Sequence, residues 1–115
     1  VYAHETTNLA DLCTDLITRL RDHYAIPTTL VRASELKATG SASELLAAIT
    51  AELGGDVYLS GPSGRNYLDE SVFAERGIGL DYHSFTPTAY PQPHGDFAGG
   101  LSMLDHVASG ADPWW

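Results

Sequence analysis

Asp56-Val57-Tyr58-Leu59-Ser60-Gly61-Pro62-Ser63-Gly64-Arg65-Asn66 is the stretch whose reading decides the fold. Val57, Tyr58 and Leu59 are β-branched, aromatic and aliphatic, and with Asp56 they predict a short strand over 56–59. The character then changes at once. Small hydroxyls, two glycines and a proline predict a turn-forming loop at the carboxyl end of that strand. In open α/β sheets, ligands bind outside the carboxyl ends of strands. Gly61 and Gly64 let backbone N–H groups approach a ligand, Ser60 and Ser63 add donors, and Arg65 offers a planar fork for phosphate or carboxylate. A helix after the loop would aim its positive pole at an anion. The loop lacks the Lys-Ser/Thr of a Walker motif and is not GxGxxG, so the pattern supports a generic anion loop. A plain strand-to-helix turn fits the same residues.

Upstream, Ser41 and Glu44 form a Ser-x-x-Glu capping box that opens a helix. Leu45, Leu46, Ile49 and Leu53 are its expected buried face, and Gly54-Gly55 ends it. Earlier still, Pro27 is followed by Thr28-Thr29-Leu30-Val31, which reads as another short strand. Before that, an amphipathic helix is predicted from about Asn8 to Tyr24. Asn8 is its cap, and Leu9, Leu12, Leu16 and Leu20 form a stripe widened by Cys13 and Ile17. That stripe places Cys13 in the core.

Downstream, Tyr67 to Glu75 reads as a short helix stopped by Gly77, and Leu80, Tyr82 and Phe85 flank a third strand. Thr86 to Gly100 is an irregular loop rich in Pro, Gly and aromatics. Leu101 to Ala108 forms a last short helix closed by Ser109-Gly110. Helix, strand, helix, strand with short links is the rhythm of a parallel sheet. The expected fold is α/β: a small Rossmann-like, mostly parallel sheet flanked by helices, a single domain over 1–115 that is itself part of a larger domain.

Bulk properties bound the function. The 115 residues are 43% hydrophobic, enough for one compact core. Six Lys and Arg stand against fifteen Asp and Glu, a formal charge of −9, so the surface repels phosphate backbones and anionic lipid heads. No nucleic-acid partner and no membrane insertion are expected; a small anionic substrate held by one Arg is compatible with that charge. Cys13 is the single cysteine, which excludes an intrachain disulfide and a multi-Cys zinc site. No metal is predicted, and the sequence assigns no cofactor. With no apolar run near the roughly 20 residues of a bilayer span and no signal-peptide pattern, the expected compartment is the cytoplasm. Val1 is not a methionine, which predicts a removed N-terminus or a longer parent chain. Trp114 and Trp115 are expected to dock on the body of the protein or on a partner.

Further candidates lie in the late loop and helix. His4 and His23 read as surface residues, and His83 and His106 as ordinary ones. His94 sits in the long loop and is the best histidine for carrying a proton. Tyr90 and Gln92, with Phe97 nearby, supply stacking and hydrogen-bonding groups. Ser102 and Asp105 share a helix face, where Ser102 can cap the helix and Asp105 can bind a ligand or move a proton. No GxSxG elbow accompanies Ser102, His94 and Asp105, which argues against a serine triad.

Tyr58-Leu59-Ser60-Gly61, Gly64, Tyr67-Leu68-Asp69, Phe73, Gly77-Ile78, Phe85, Tyr90, Gln92, Phe97, Leu101-Ser102, Asp105 and Gly110, in that order, resemble the WbqC-like proteins. The resemblance runs from about Asp11 to Gly110 and is strongest from Tyr58 to Asp105. It is to the carboxyl-terminal half of that family, whose histidine-glutamine-proline opening is missing here. The resemblance implies a bacterial setting in surface-polysaccharide or small-molecule biosynthesis. By fold-level analogy with nucleotidylyltransferases, it implies a phosphate contact at Ser60–Arg65.

Two functions follow. In the first, the chain is a transferase-like enzyme: Ser60, Gly61, Ser63, Gly64 and Arg65 hold an anionic donor, and Tyr67, Tyr90, Gln92 and Ser102 line the site. His94 or Asp105 then handles a proton. In the second, the chain is a non-catalytic module that forms a homodimer or assembles with an amino-terminal partner fragment.

Overall fold

The computed structural model describes residues 6–111. The expected docking of Trp114-Trp115 and the placement of His4 lie outside them. The element order is α1 (Leu9–His23), α2 (Ala42–Glu52), β1 (Val57–Ser60), α3 (Glu70–Ala74), β2 (Gly79–Tyr82) and α4 (Met103–Ala108). Short 3₁₀ turns cover Ala33–Glu35 and Pro62–Asn66. The chain divides into two compact units. A sheet unit spans Val31–Thr86; a helical unit combines Val1–Leu30 with Pro87–Trp115.

In the sheet unit, β1 and β2 pair in parallel with Val57 opposite Gly79 and Ser60 opposite Tyr82. The backbone ladder extends at both ends, where Gly79 N donates to Asp56 O (2.8 Å) and His83 N to Ser60 O (2.8 Å). The connection between the strands carries α3, so β1–α3–β2 is a parallel crossover, and the α/β class stands. Tyr58 and Ser60 point inward while Val57 and Leu59 remain 57% and 60% exposed, the period-two alternation of a strand covered on one face.

The core of this unit is Ala47, Phe73 and Ile78, with Leu46, Tyr58, Leu68, Val72 and Leu80 packed against it. The rings of Tyr58 and Phe73 stack at 5.3 Å.

The buried positions of α2 are Ser43, Ala47 and Thr50, spaced four and three apart, rather than the large residues the stripe suggests. Leu45, Leu46 and Ile49 are only half-buried, and Leu53 is exposed. Small side chains let the helix approach closely, and their hydroxyls stay satisfied: Ser43 Oγ accepts from Asp69 N (2.9 Å) and Thr50 Oγ1 donates to Leu46 O (2.8 Å). Ser41 is the N-cap, but its side chain makes no capping bond. Ala42 adopts φ +47, and Ser41's carbonyl takes the Glu44 amide instead (3.1 Å), so the capping box does not close.

In the helical unit, Asn8 caps α1 as its sequence predicts, Oδ1 accepting from Ala10 N (2.9 Å). Yet α1 contributes no buried residue. Leu12, Leu16 and Leu20 are half-buried, whereas the neighbouring row of Leu9, Cys13 and Ile17 is exposed. Cys13 is therefore a surface thiol: its row lies on the flank of the stripe, away from the half-buried leucines. Thr28–Val31 forms no strand among the described residues. The segment has no ladder to join, and β-propensity alone does not make a strand.

All four described α-helices end alike. In each, an amide two residues past the cap residue (three past it in α3) reaches back five residues and the preceding amide reaches back three: Gly55/Gly54, Ile78/Gly77, Ala111/Gly110 and Ile26/Ala25. The pivot has positive φ every time, glycine in three cases and Ala25 (φ +51) in α1.

Candidate functional site

The expected site residues fall into both units, and each group stands on its own. In the sheet unit, the chain leaves β1 at Ser60 and turns directly into the 3₁₀ segment Pro62–Asn66. Ser60 and Gly64 are buried at its base. Gly64 is there because nothing larger fits: a Cβ would collide with Ser60 Oγ and press on Leu68. Its amide bonds Gly61 O (3.0 Å), and its carbonyl accepts from Tyr67 N (3.1 Å) and Leu68 N (2.9 Å). Ser60 Oγ donates to Gly61 O (3.1 Å). Gly61, Ser63, Arg65 and Tyr67 stand exposed around this closed base.

Arg65 lays its guanidinium over the Tyr82 ring, 4.1 Å from the centroid. Tyr82 is held in turn by a bond from its hydroxyl to Glu70 Oε1 (3.2 Å). Burial, then the Glu70 carboxylate, pushes the Tyr82 phenol up from its ordinary value. Among the described residues the ion pairs are Arg19–Asp15 and Arg21–Asp22, so Arg65 is stacked but carries no carboxylate. The expected helix pole behind the loop is not available. The following helix is only Glu70–Ala74, and Asp69 Oδ1 already takes its Ser71 amide (3.0 Å) and Ser71 hydroxyl (2.6 Å). The hydroxyl and then the amide of Ser71 hold the Asp69 carboxyl below its ordinary range.

In the helical unit, Tyr90, Gln92 and Asp105 come together. Tyr90 OH donates to Asp105 Oδ2 (2.6 Å), and Gln92 Nε2 donates to the same oxygen (3.1 Å). Among the described residues Oδ1 of this half-buried carboxylate carries no bond. Gln92 also clamps its loop shut, its Oε1 accepting from Ala98 N (2.8 Å) and its Nε2 donating to Ala98 O (3.2 Å). Ser102 is the N-cap of α4, Oγ accepting from Leu104 N (3.2 Å). His94 lies within the clamped loop, exposed, and is not joined to Asp105. The bond to Asp105 and then burial raise the Tyr90 phenol above its ordinary value, so Tyr90 remains a donor across the neutral range.

Sequence reasoning read His106 as an ordinary histidine and missed it as a member of this group, whereas Phe97 beside Tyr90 was expected. His106 is buried, with Nδ1 2.9 Å from Tyr24 OH and its ring edge-on to Tyr90 at 4.7 Å. Phe97 meets Tyr90 edge-on at 5.3 Å. The pairing of Tyr24 with His106 spans 82 positions, and no local pattern announces it. Tyr82 as the platform of Arg65 is invisible for the same reason.

Fold and site together define an α/β protein with a tight turn at the carboxyl end of a parallel strand and an exposed, stacked arginine on that turn. Comparison with known proteins makes this particular: the chain belongs to the WbqC-like protein family, whose sequence model matches residues 1–111. A curated relative, the uncharacterized protein Rv1507c of Mycobacterium tuberculosis, is 32% identical over 109 residues, covering 91% of this chain and 46% of the relative. The chain thus spans about half the length of that relative. No solved structure matches. No helix among the described residues is long and apolar enough to cross a membrane. Among them, no group of three or more His, Cys, Asp or Glu could hold a metal ion.

Proposed function

We propose that this WbqC-like chain is part of a transferase-like biosynthetic enzyme, acting on a phosphate-bearing or nucleotide-activated donor in surface-polysaccharide or secondary-metabolite biosynthesis. The observation that carries the reading is Arg65: a guanidinium positioned by Tyr82 at the carboxyl end of β1, with no carboxylate partner among the described residues of a chain of charge −9. Stacking orients the planar fork while leaving its N–H edge to bind an oxyanion. Ser60 and Gly64 form the floor beneath it, and Gly61, Ser63 and Tyr67 are the exposed residues beside it.

In the helical unit, Asp105 is the proton acceptor through Oδ1, held in place by Tyr90 and Gln92 on Oδ2. Ser102 starts the helix that carries Asp105, and His94 is the second proton carrier. Thermal shift against nucleotides, nucleotide sugars and coenzyme A tests the donor site. One class should raise the melting temperature with saturation, and Arg65→Ala should abolish the shift. A shift that survives Arg65→Ala unchanged contradicts the assignment.

A second reading is an assembling module. It is favoured by the 46% coverage of the relative and by the exposed Val57 and Leu59 on β1, since parallel strands are ordinarily covered on both faces. Here the occupant is a second copy or an amino-terminal partner fragment. Light scattering on the chain alone, and on the chain mixed with that fragment, separates the two readings.

A further inference from the structure

Neither reading above uses Tyr24, the cap residue that ends α1, or His106 on α4, both in the helical unit. They are 7% and 4% exposed. Burying a phenol and an imidazole costs free energy unless each finds a polar partner, and these two meet at 2.9 Å through Tyr24 OH and His106 Nδ1. An apolar pair would fill the same space without that requirement. What the bond adds is orientation: an imidazole held at Nδ1 cannot turn about its Cβ–Cγ bond without breaking the contact.

The ring so held meets Tyr90 at 4.7 Å and 74°, and Tyr90 also meets Phe97 at 5.3 Å and 72°. Two edge-on contacts restrict how the Tyr90 ring can lie. Its hydroxyl then reaches Asp105 Oδ2 (2.6 Å), beside Gln92 Nε2 on the same oxygen (3.1 Å). Asp105 and His106 are successive residues of α4, so their side chains leave the helix about 100° apart. Tyr90 bridges them, with its ring on one and its hydroxyl on the other.

We propose that Tyr24 and His106 are positioning residues for the Asp105 carboxylate, acting through Tyr90. They hold the Tyr90 hydroxyl on Oδ2, which leaves Oδ1 open to a substrate proton. The proposal rests on the reading of Asp105 as proton acceptor and is independent of Arg65.

The test is the titration of the Tyr90 phenol, followed by ¹³C NMR of labelled tyrosine in the 115-residue chain. In the parent it lies above the ordinary value, first because of the bond to Asp105. Tyr24→Phe keeps the buried ring and removes only the hydroxyl. His106→Asn keeps a polar atom near the place of Nδ1 but offers Tyr90 no ring. With circular dichroism unchanged, each should bring the Tyr90 titration down toward about 10, as Asp105→Asn should. Val107→Ala, a packing change on the same helix, should leave it where it is. The proposal is overturned if Tyr24→Phe leaves the titration as in the parent while Asp105→Asn lowers it, or if Val107→Ala lowers it equally. No movement in Asp105→Asn removes the Tyr90–Asp105 pair itself, and the acceptor reading falls with the proposal.

Discussion

Gly61 and Gly64 look interchangeable in the sequence, yet they do different things. Gly61 has an ordinary backbone and open space where a Cβ would sit; Gly64 is locked against Ser60 and Leu68. Gly61→Ala should therefore leave stability within about 0.5 kcal/mol of the parent. Gly64→Ala should cost about 1–3 kcal/mol from overpacking. Urea midpoints of the two variants check both statements. Ala25 presents the opposite case, an L-residue where three of the four helix ends use glycine. Ala25→Gly removes left-handed strain of about 1–2 kcal/mol and gives back part of it in chain entropy. The net expectation is a gain of about 0.5–1 kcal/mol by the same measurement.

Tyr90 sets an alkaline limit on the helical unit. Its phenol is raised in the fold, first by its bond to Asp105, so the neutral form is the stabilising one. That contribution is whole below the unfolded value of about 10 and fades as pH rises through the higher folded value. Tyr90→Phe should flatten the loss of stability above that pH, as read from melting curves across the alkaline range.

At the scale of elements, β1 could be read directly, because Val57, Tyr58 and Leu59 are strong strand formers set just before a turn-forming run; which face is covered could not, since apolar Val57 and Leu59 face out and polar Ser60 faces in. Thr28–Val31 has equal propensity and is no strand, since pairing depends on a neighbour that local sequence does not specify. The face of α2 was misread for a related reason. Leu45, Leu46 and Ile49 outweigh Ser43, Ala47 and Thr50 in any hydrophobic count, but distance to the neighbouring elements selected the small ones. Cys13 fell on the wrong side of a stripe only partly covered. Its exposure predicts that iodoacetamide alkylates it in the native protein at a rate close to that in denaturant. Strong native protection would contradict the placement of α1. Among the described residues Phe73 is the one large side chain that is fully buried, and Phe73→Ala should cost about 3–5 kcal/mol, enough to unfold much of a small sheet unit. The loop after β1 was legible as a turn, and its arginine as a candidate. What the sequence withheld was the Tyr82 platform and the web around Asp105, both made by residues far apart in the chain.

At the scale of the whole molecule, charge and coverage dominate. A formal charge of −9 predicts no retention of the chain by single-stranded DNA or by vesicles rich in anionic lipid at physiological salt. It also means that any anion reaching Arg65 does so against the field of the chain, so local geometry rather than long-range attraction sets affinity. The relative's extra length bears on whether the two groups described here act alone or with further chain.

The most direct test of the donor site is a ¹⁵N amide titration with whichever nucleotide or nucleotide sugar gives the largest thermal shift. The account predicts saturable shifts centred on Gly61, Ser63 and the amide and Nε of Arg65, all lost in Arg65→Ala. Saturable shifts confined to other residues, with the Gly61–Arg65 signals unmoved, would contradict it.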